Sequence, residues 1–137
     1  MSSVAVNLST FDVQRLEPLI ARNGPVHALP EHLNALLEKL NRCVEVPPVG
    51  VPPYIVTMNS EVRLLDLESG KHTNCTLVFP LQADINLGRV SVLAPLGAAL
   101  LGSRVGATLE VSTPRSLRRY RIEQILFQPE AAGKYDL

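Results

Sequence analysis

Seven residues in the first half of the chain, PPVGVPP at 47–53, limit its fold more than any other stretch. Each proline lacks an amide donor and fixes its own backbone angle, so this segment enters neither a helix interior nor a central strand. Before it, apolar residues recur at helical spacing; after it, short apolar-rich runs bounded by turn residues read as strands. The expected organisation is a helical part at 1–46, a semi-rigid linker at 47–53 and a strand-rich domain at 54–137, with a core in each half.

In the helical part, Ser9 or Thr10 offers an oxygen to the first free amides and Asp12 places negative charge in the first turn, which predicts a helix over 9–22. Phe11, Leu16, Leu19 and Ile20 fall near one face, Pro18 predicts a kink or short break, and Gly24 ends the segment. A second helix is expected over 29–43, with Pro30 in its first turn and Leu33, Leu36, Leu37, Leu40 and Cys43 at helical spacing. The short connector NGPVHALP predicts a short antiparallel helical hairpin, coiled-coil-like in character.

Beyond the linker, runs at 62–67 and 75–79 around ESGK predict a β-hairpin turning at Gly70, and 89–93, 108–112 and 120–127 supply three further strands. Between the third and fourth strands, Pro95 pre-sets a helix start, Ala98, Ala99, Leu100 and Leu101 extend it, and Gly102 stops it. A helix of two turns at most is marginal alone, so Leu96, Leu100 and Leu101 must pack on the sheet. The fold class is α+β: an antiparallel sheet with this short helix as a plug on one face.

The 13 basic residues balance the 13 acidic ones, so no bulk field draws the chain to nucleic acid or an anionic membrane. Aromatic residues make up 4% and tryptophan is absent, which leaves little to build a base-stacking platform. No direct sequence-specific nucleic-acid binding is expected. No run approaches the roughly 18 apolar residues of a membrane span, and the N-terminus lacks the pattern of a secretory signal. A cytoplasmic monomer is expected. Cys43 and Cys75 are too isolated for a disulfide framework or a zinc site. His27, His32 and His72 are scattered, the isolated carboxylates Asp12, Glu31 and Glu38 form no metal cluster, and no Ser or Cys has a base suggested nearby. The expectation is no catalytic residue, no metal and no cofactor.

The stretch VSVLAPLGAALLGSRVGATLEVSTP at 90–114, followed by Tyr120, Ile122 and Ile125, closely resembles the C-terminal domain of the transcript-cleavage factors GreA and GreB. The resemblance rests on Pro95, Leu96, Gly97, Ala99, Leu100, Leu101, Gly102, Val105, Gly106, Thr113 and Pro114, and implies an FKBP-like domain. Residues 56–70 and the tail QPEAAGKYDL look like the Rnk family, the regulators of nucleoside diphosphate kinase. Such a resemblance implies binding to bacterial RNA polymerase at the rim of its secondary channel, with Leu93, Ala94, Pro95 and Leu96 as the docking end.

Two departures matter. The cleavage factors carry an acidic pair at the tip of a long coiled coil, where it helps to hold a catalytic magnesium ion; here 22–30 contains no Asp or Glu, and Glu31 is the nearest. Arms of about 14 residues span only roughly 20 Å. Where the cleavage factors have a glycine-bearing turn, this chain reads RSLRRYR, which gathers Arg115, Arg118, Arg119 and Arg121 into a second candidate partner surface. The implied function is a non-enzymatic transcription regulator that competes with cleavage factors without stimulating cleavage and influences nucleoside diphosphate kinase through expression. Two rival readings are a direct regulator bound to that kinase, and a peptidyl-prolyl isomerase whose pocket would draw on Tyr54, Phe79, Tyr120, Phe127 and Tyr135.

Overall fold

Ser9 opens the first helix by accepting the Asp12 amide on its side-chain oxygen at 3.1 Å. In the computed structural model, which describes residues 6–112 and 115–134, that helix, α1, runs Thr10–Ala21. Thr113, Pro114 and Tyr135 lie outside the described residues. The break expected at Pro18 is absent: its carbonyl accepts the Arg22 amide at 3.2 Å and the last turn closes. Val13, Leu16 and Ile20 form the buried face, while Phe11, expected among them, is 54% exposed.

Helix α2, Glu31–Arg42, buries Leu33, Leu36 and Leu40 and keeps Glu31 and Glu38 outside. A feature too short to carry a periodic signal ties the two helices together: β1, Asn7–Ser9, pairs in parallel with β2, Val44–Val46. The start of α1 and the end of α2 are thereby held side by side.

The expected strands are all present, as β3 Glu61–Asp66, β4 His72–Val78, β5 Arg89–Ser91, β6 Thr108–Ser112 and β7 Leu117–Phe127. They form one curled sheet in the order β5-β4-β3-β7-β6. The sheet is mixed rather than antiparallel as expected, because β5 runs parallel to β4, with Thr76 opposite Arg89 and Val78 opposite Ser91. The intervening chain, 79–88, folds through two 3₁₀ turns, Pro80–Gln82 and Ile85–Leu87, and so re-enters β5 in the direction of β4.

Helix α3, Pro95–Leu100, is the plug, with Leu100 and Leu101 fully buried and Leu96 partly so. Gly102 follows with a φ of 77°, the left-handed geometry a glycine supplies without strain.

The core corrects the picture of two separate halves. Leu8, Leu16, Ile20, Leu36 and Leu40 belong to the same buried cluster as Val56, Met58, Leu64, Leu77, Leu100 and Ile122. A 12-residue amphipathic helix has to bury its apolar stripe somewhere, and α2 lays its stripe against α3. Polar ties cross the same boundary. Asp12, 2% exposed, accepts the Met58 amide at 3.1 Å and the Arg15 guanidinium at 2.7 Å. Burial raises its carboxyl pKa, and those two hydrogen bonds pull it back. Nor is the proline segment free: Val51 is buried, and Gln128 donates to the Pro52 and Ile55 carbonyls at 2.8 and 2.7 Å.

Candidate functional site

The turn leading into α3 is built by Ser91. Its hydroxyl accepts the Leu93 amide and its carbonyl accepts the Ala94 amide, each at 3.0 Å, while Val92 inserts fully into the core. Gly97 then sits directly over that turn, where an added Cβ would fall 1.9 Å from the Ser91 carbonyl oxygen. Leu93, Ala94, Pro95 and Leu96 come out together, all half-buried, as a short ridge.

Two hollows border this ridge. Pro95 lines one of about 350 Å³ with Glu31, His32, Lys39 and the β6 residues Glu110 and Ser112. Leu93 lines another, of about 550 Å³, with Pro18, Leu19, Arg22, Phe79 and Leu81. The second is largely apolar; its lining residue Leu81 is 101% exposed, and further along the same loop, 79–88, Ile85 is 91% exposed. Sequence reasoning missed this loop, although the signal was there, in apolar residues interleaved with Pro80, Asp84 and Gly88.

The ridge is held from α2. His32 Nε2 lies 2.8 Å from the Leu93 carbonyl, and Lys39 Nζ donates to the carbonyls of Ala98 at 3.2 Å, Ala99 at 3.4 Å and Leu101. Those acceptors lie in the last turn of α3 and at Leu101 just after it, where carbonyls lack partners within the helix. Burial pushes the Lys39 ammonium down to about 8, while the carbonyl dipoles around it favour the charged form.

The four arginines do not form one patch. Successive residues of a strand face opposite ways, so Arg118 points away from Arg119 and Arg121. Arg118 pairs with Asp66 at 3.0 Å and Arg119 with Glu110 at 3.5 Å, both at the surface, while Arg115 and Arg121 are exposed. Only Arg119 touches the border of a ridge-side hollow, through Glu110.

The remaining candidates stay dispersed. His72 pairs with Glu123 at 2.7 Å, far in sequence and partner from His32. Among the described residues, no three His, Cys, Asp or Glu side chains gather as a metal site. Burial raises the Cys75 thiol to about 11. Of the aromatic residues considered for an isomerase pocket, Tyr54, Phe79 and Phe127 line three different hollows. No helix among the described residues is long and apolar enough to cross a membrane.

Comparison with known proteins agrees with this architecture. Residues 52–127 match the family model for the C-terminal domain of the transcription elongation factors GreA and GreB. The chain is 34% identical to the regulator of nucleoside diphosphate kinase of Escherichia coli, over 98% of both chains. It is also 34% identical to GreA of Syntrophobacter fumaroxidans, over 66% of this chain and 58% of that one. The solved structure of a GreA/GreB elongation factor from Nitrosomonas europaea superposes with a TM-score of 0.74 at 33% identity, covering 91% of this chain and all of that one. The protein belongs to the GreA/GreB C-terminal domain family, within the group of regulators of nucleoside diphosphate kinase.

Proposed function

We propose that the chain is a non-enzymatic transcription regulator that docks on bacterial RNA polymerase near the secondary channel and competes there with cleavage factors. The FKBP-like C-terminal domain supplies the docking surface, centred on the ridge of Leu93, Ala94, Pro95 and Leu96, with Arg119 at its border. The short helical hairpin sits near the channel mouth. It does not stimulate cleavage, and any influence on nucleoside diphosphate kinase follows from altered expression.

One observation carries this reading: a GreA/GreB-type domain is joined to helices of only 12 residues whose connector is neither long nor acidic. At 1.5 Å per residue each helix spans about 18 Å. The connector folds into a 3₁₀ turn, Val26–Ala28, and tucks Leu29 into the core. Without carboxylates at its tip, it has nothing with which to bind a second metal ion in an active site.

Backtracked transcription complexes with magnesium provide the test. Added chain is expected to leave the RNA length distribution unchanged, whereas a cleavage factor shortens it. Shortening of the 3′ end above the rate of polymerase alone would overturn the non-cleaving reading. A direct complex with nucleoside diphosphate kinase is the second reading, favoured by the likeness over 98% of both chains to the regulator of nucleoside diphosphate kinase of Escherichia coli. Co-elution of the purified pair would support it.

A further inference from the structure

Helix α3 has little of its own to hold it. It is six residues long, Ala94 before it gives no side-chain cap, and so short a helix is marginal without outside contacts. Apolar contacts come from the sheet, and polar ones come from one face of α2. His32 and Lys39 are seven residues apart, two turns, which sets them about 10 Å apart on the same side of the helix. The six residues of α3 rise about 9 Å, so the two side chains meet its opposite ends. His32 takes the Leu93 carbonyl at the leading end, and Lys39 takes those of Ala98, Ala99 and Leu101 at the trailing end.

Lys39 has no carboxylate partner among the described ion pairs; its stem also lies against Gly102, 3.1 Å from where a Cβ would stand. His32 must donate through Nε2, since a carbonyl only accepts. Both contacts end on backbone oxygens, those of Leu93, Ala98, Ala99 and Leu101, and His32 and Lys39 themselves line the hollow beside Pro95. What they fix is the path of the chain from Leu93 to Leu101.

We infer that His32 and Lys39 are positioning residues: α2 clamps both ends of the α3 segment and holds the ridge at residues 93–96 in its docking shape. The inference rests on the docking role proposed above for that ridge. It gives the helical part a function that requires no reach into a channel, since the helices would set affinity through the ridge. A chain with the same C-terminal sequence but a loosened clamp would then present the ridge as an ensemble, and its apparent affinity would fall with the competent fraction.

The test uses the full chain with His32→Leu, His32→Gln and Lys39→Met, read by hydrogen exchange, melting temperature and polymerase affinity. His32→Leu keeps side-chain bulk but removes the donor, whereas the amide of His32→Gln can still donate to Leu93. His32→Leu and Lys39→Met are expected to speed exchange at 93–102; His32→Leu, which loses one hydrogen bond, should weaken polymerase binding about fivefold, and Lys39→Met, which loses three, by at least as much. His32→Gln should restore both. A merely structural role would shift melting in step with affinity, with Gln restoring both together, whereas a positioning role changes exchange at 93–102 and affinity with little change in melting.

Unchanged exchange at 93–102 in His32→Leu would overturn the clamp, as would a loosened segment that binds polymerase as tightly as the wild type. If the wild-type chain fails to bind polymerase, the docking role falls. The exchange measurements still decide whether α2 holds the segment.

Discussion

Replacing Gly97 by alanine is expected to destabilise the protein by about 3 kcal/mol or more, although the position lies inside a helix where the same change ordinarily gains about 1 kcal/mol. The reversal follows from the backbone beneath it. An added methyl would stand 1.9 Å from the Ser91 carbonyl oxygen, 2.7 Å from its carbon and 3.0 Å from the Val92 Cα. None of these atoms is the free end of a side chain, so relief requires α3 to lift away from the turn that shapes the ridge. Moving α3 drags fully buried Leu100 and Leu101 with it. Urea unfolding of the Gly97→Ala chain checks the result; stability equal to or above that of the wild type would show that the contact yields easily.

Removal of residues 1–53 is expected to cost the remaining domain its cooperative fold. Deleting them strips the cover from a core that Leu8, Leu16, Ile20, Leu36 and Leu40 share with the sheet and α3. It also leaves the Met58 amide without Asp12 and the α3 carbonyls without Lys39. Each lost large side chain corresponds to about 1.5–3 kcal/mol of burial, against a total stability of only about 5–15 kcal/mol. Residues 54–137 alone should therefore show a broad thermal transition and exposed apolar surface. A sharp transition near that of the full chain would show that the two parts fold independently, as the proline segment led one to expect.

Much of the fold was legible because its signals are local. Pro95 and Gly102 bracket a helix through their own backbone preferences, and the repeat of Leu33, Leu36 and Leu40 marks a buried face without knowledge of what covers it. The same locality hid the single core, since nothing in Leu16 or Leu36 says that their cover is Leu100 rather than each other. It also hid the parallel direction of β5, which is decided by two 3₁₀ turns in 79–88 that leave no periodic trace.

The candidate site divides in the same way. The motif pointed to the ridge, while the clamp from His32 and Lys39 spans about 60 residues of sequence and appears only once the helices are docked. The arginine cluster is divided by the strand, for alternation sends Arg118 to one face and Arg119 with Arg121 to the other.

Displacement of labelled GreA from RNA polymerase tests the central claim most directly. The account predicts that the full chain displaces GreA in a saturable, concentration-dependent way, and that a Leu96→Asp chain of unchanged melting temperature does so only at higher concentration, because it places a charge in the apolar contact. Simultaneous binding of both proteins, or no binding of the chain at any concentration that saturates GreA, would contradict it.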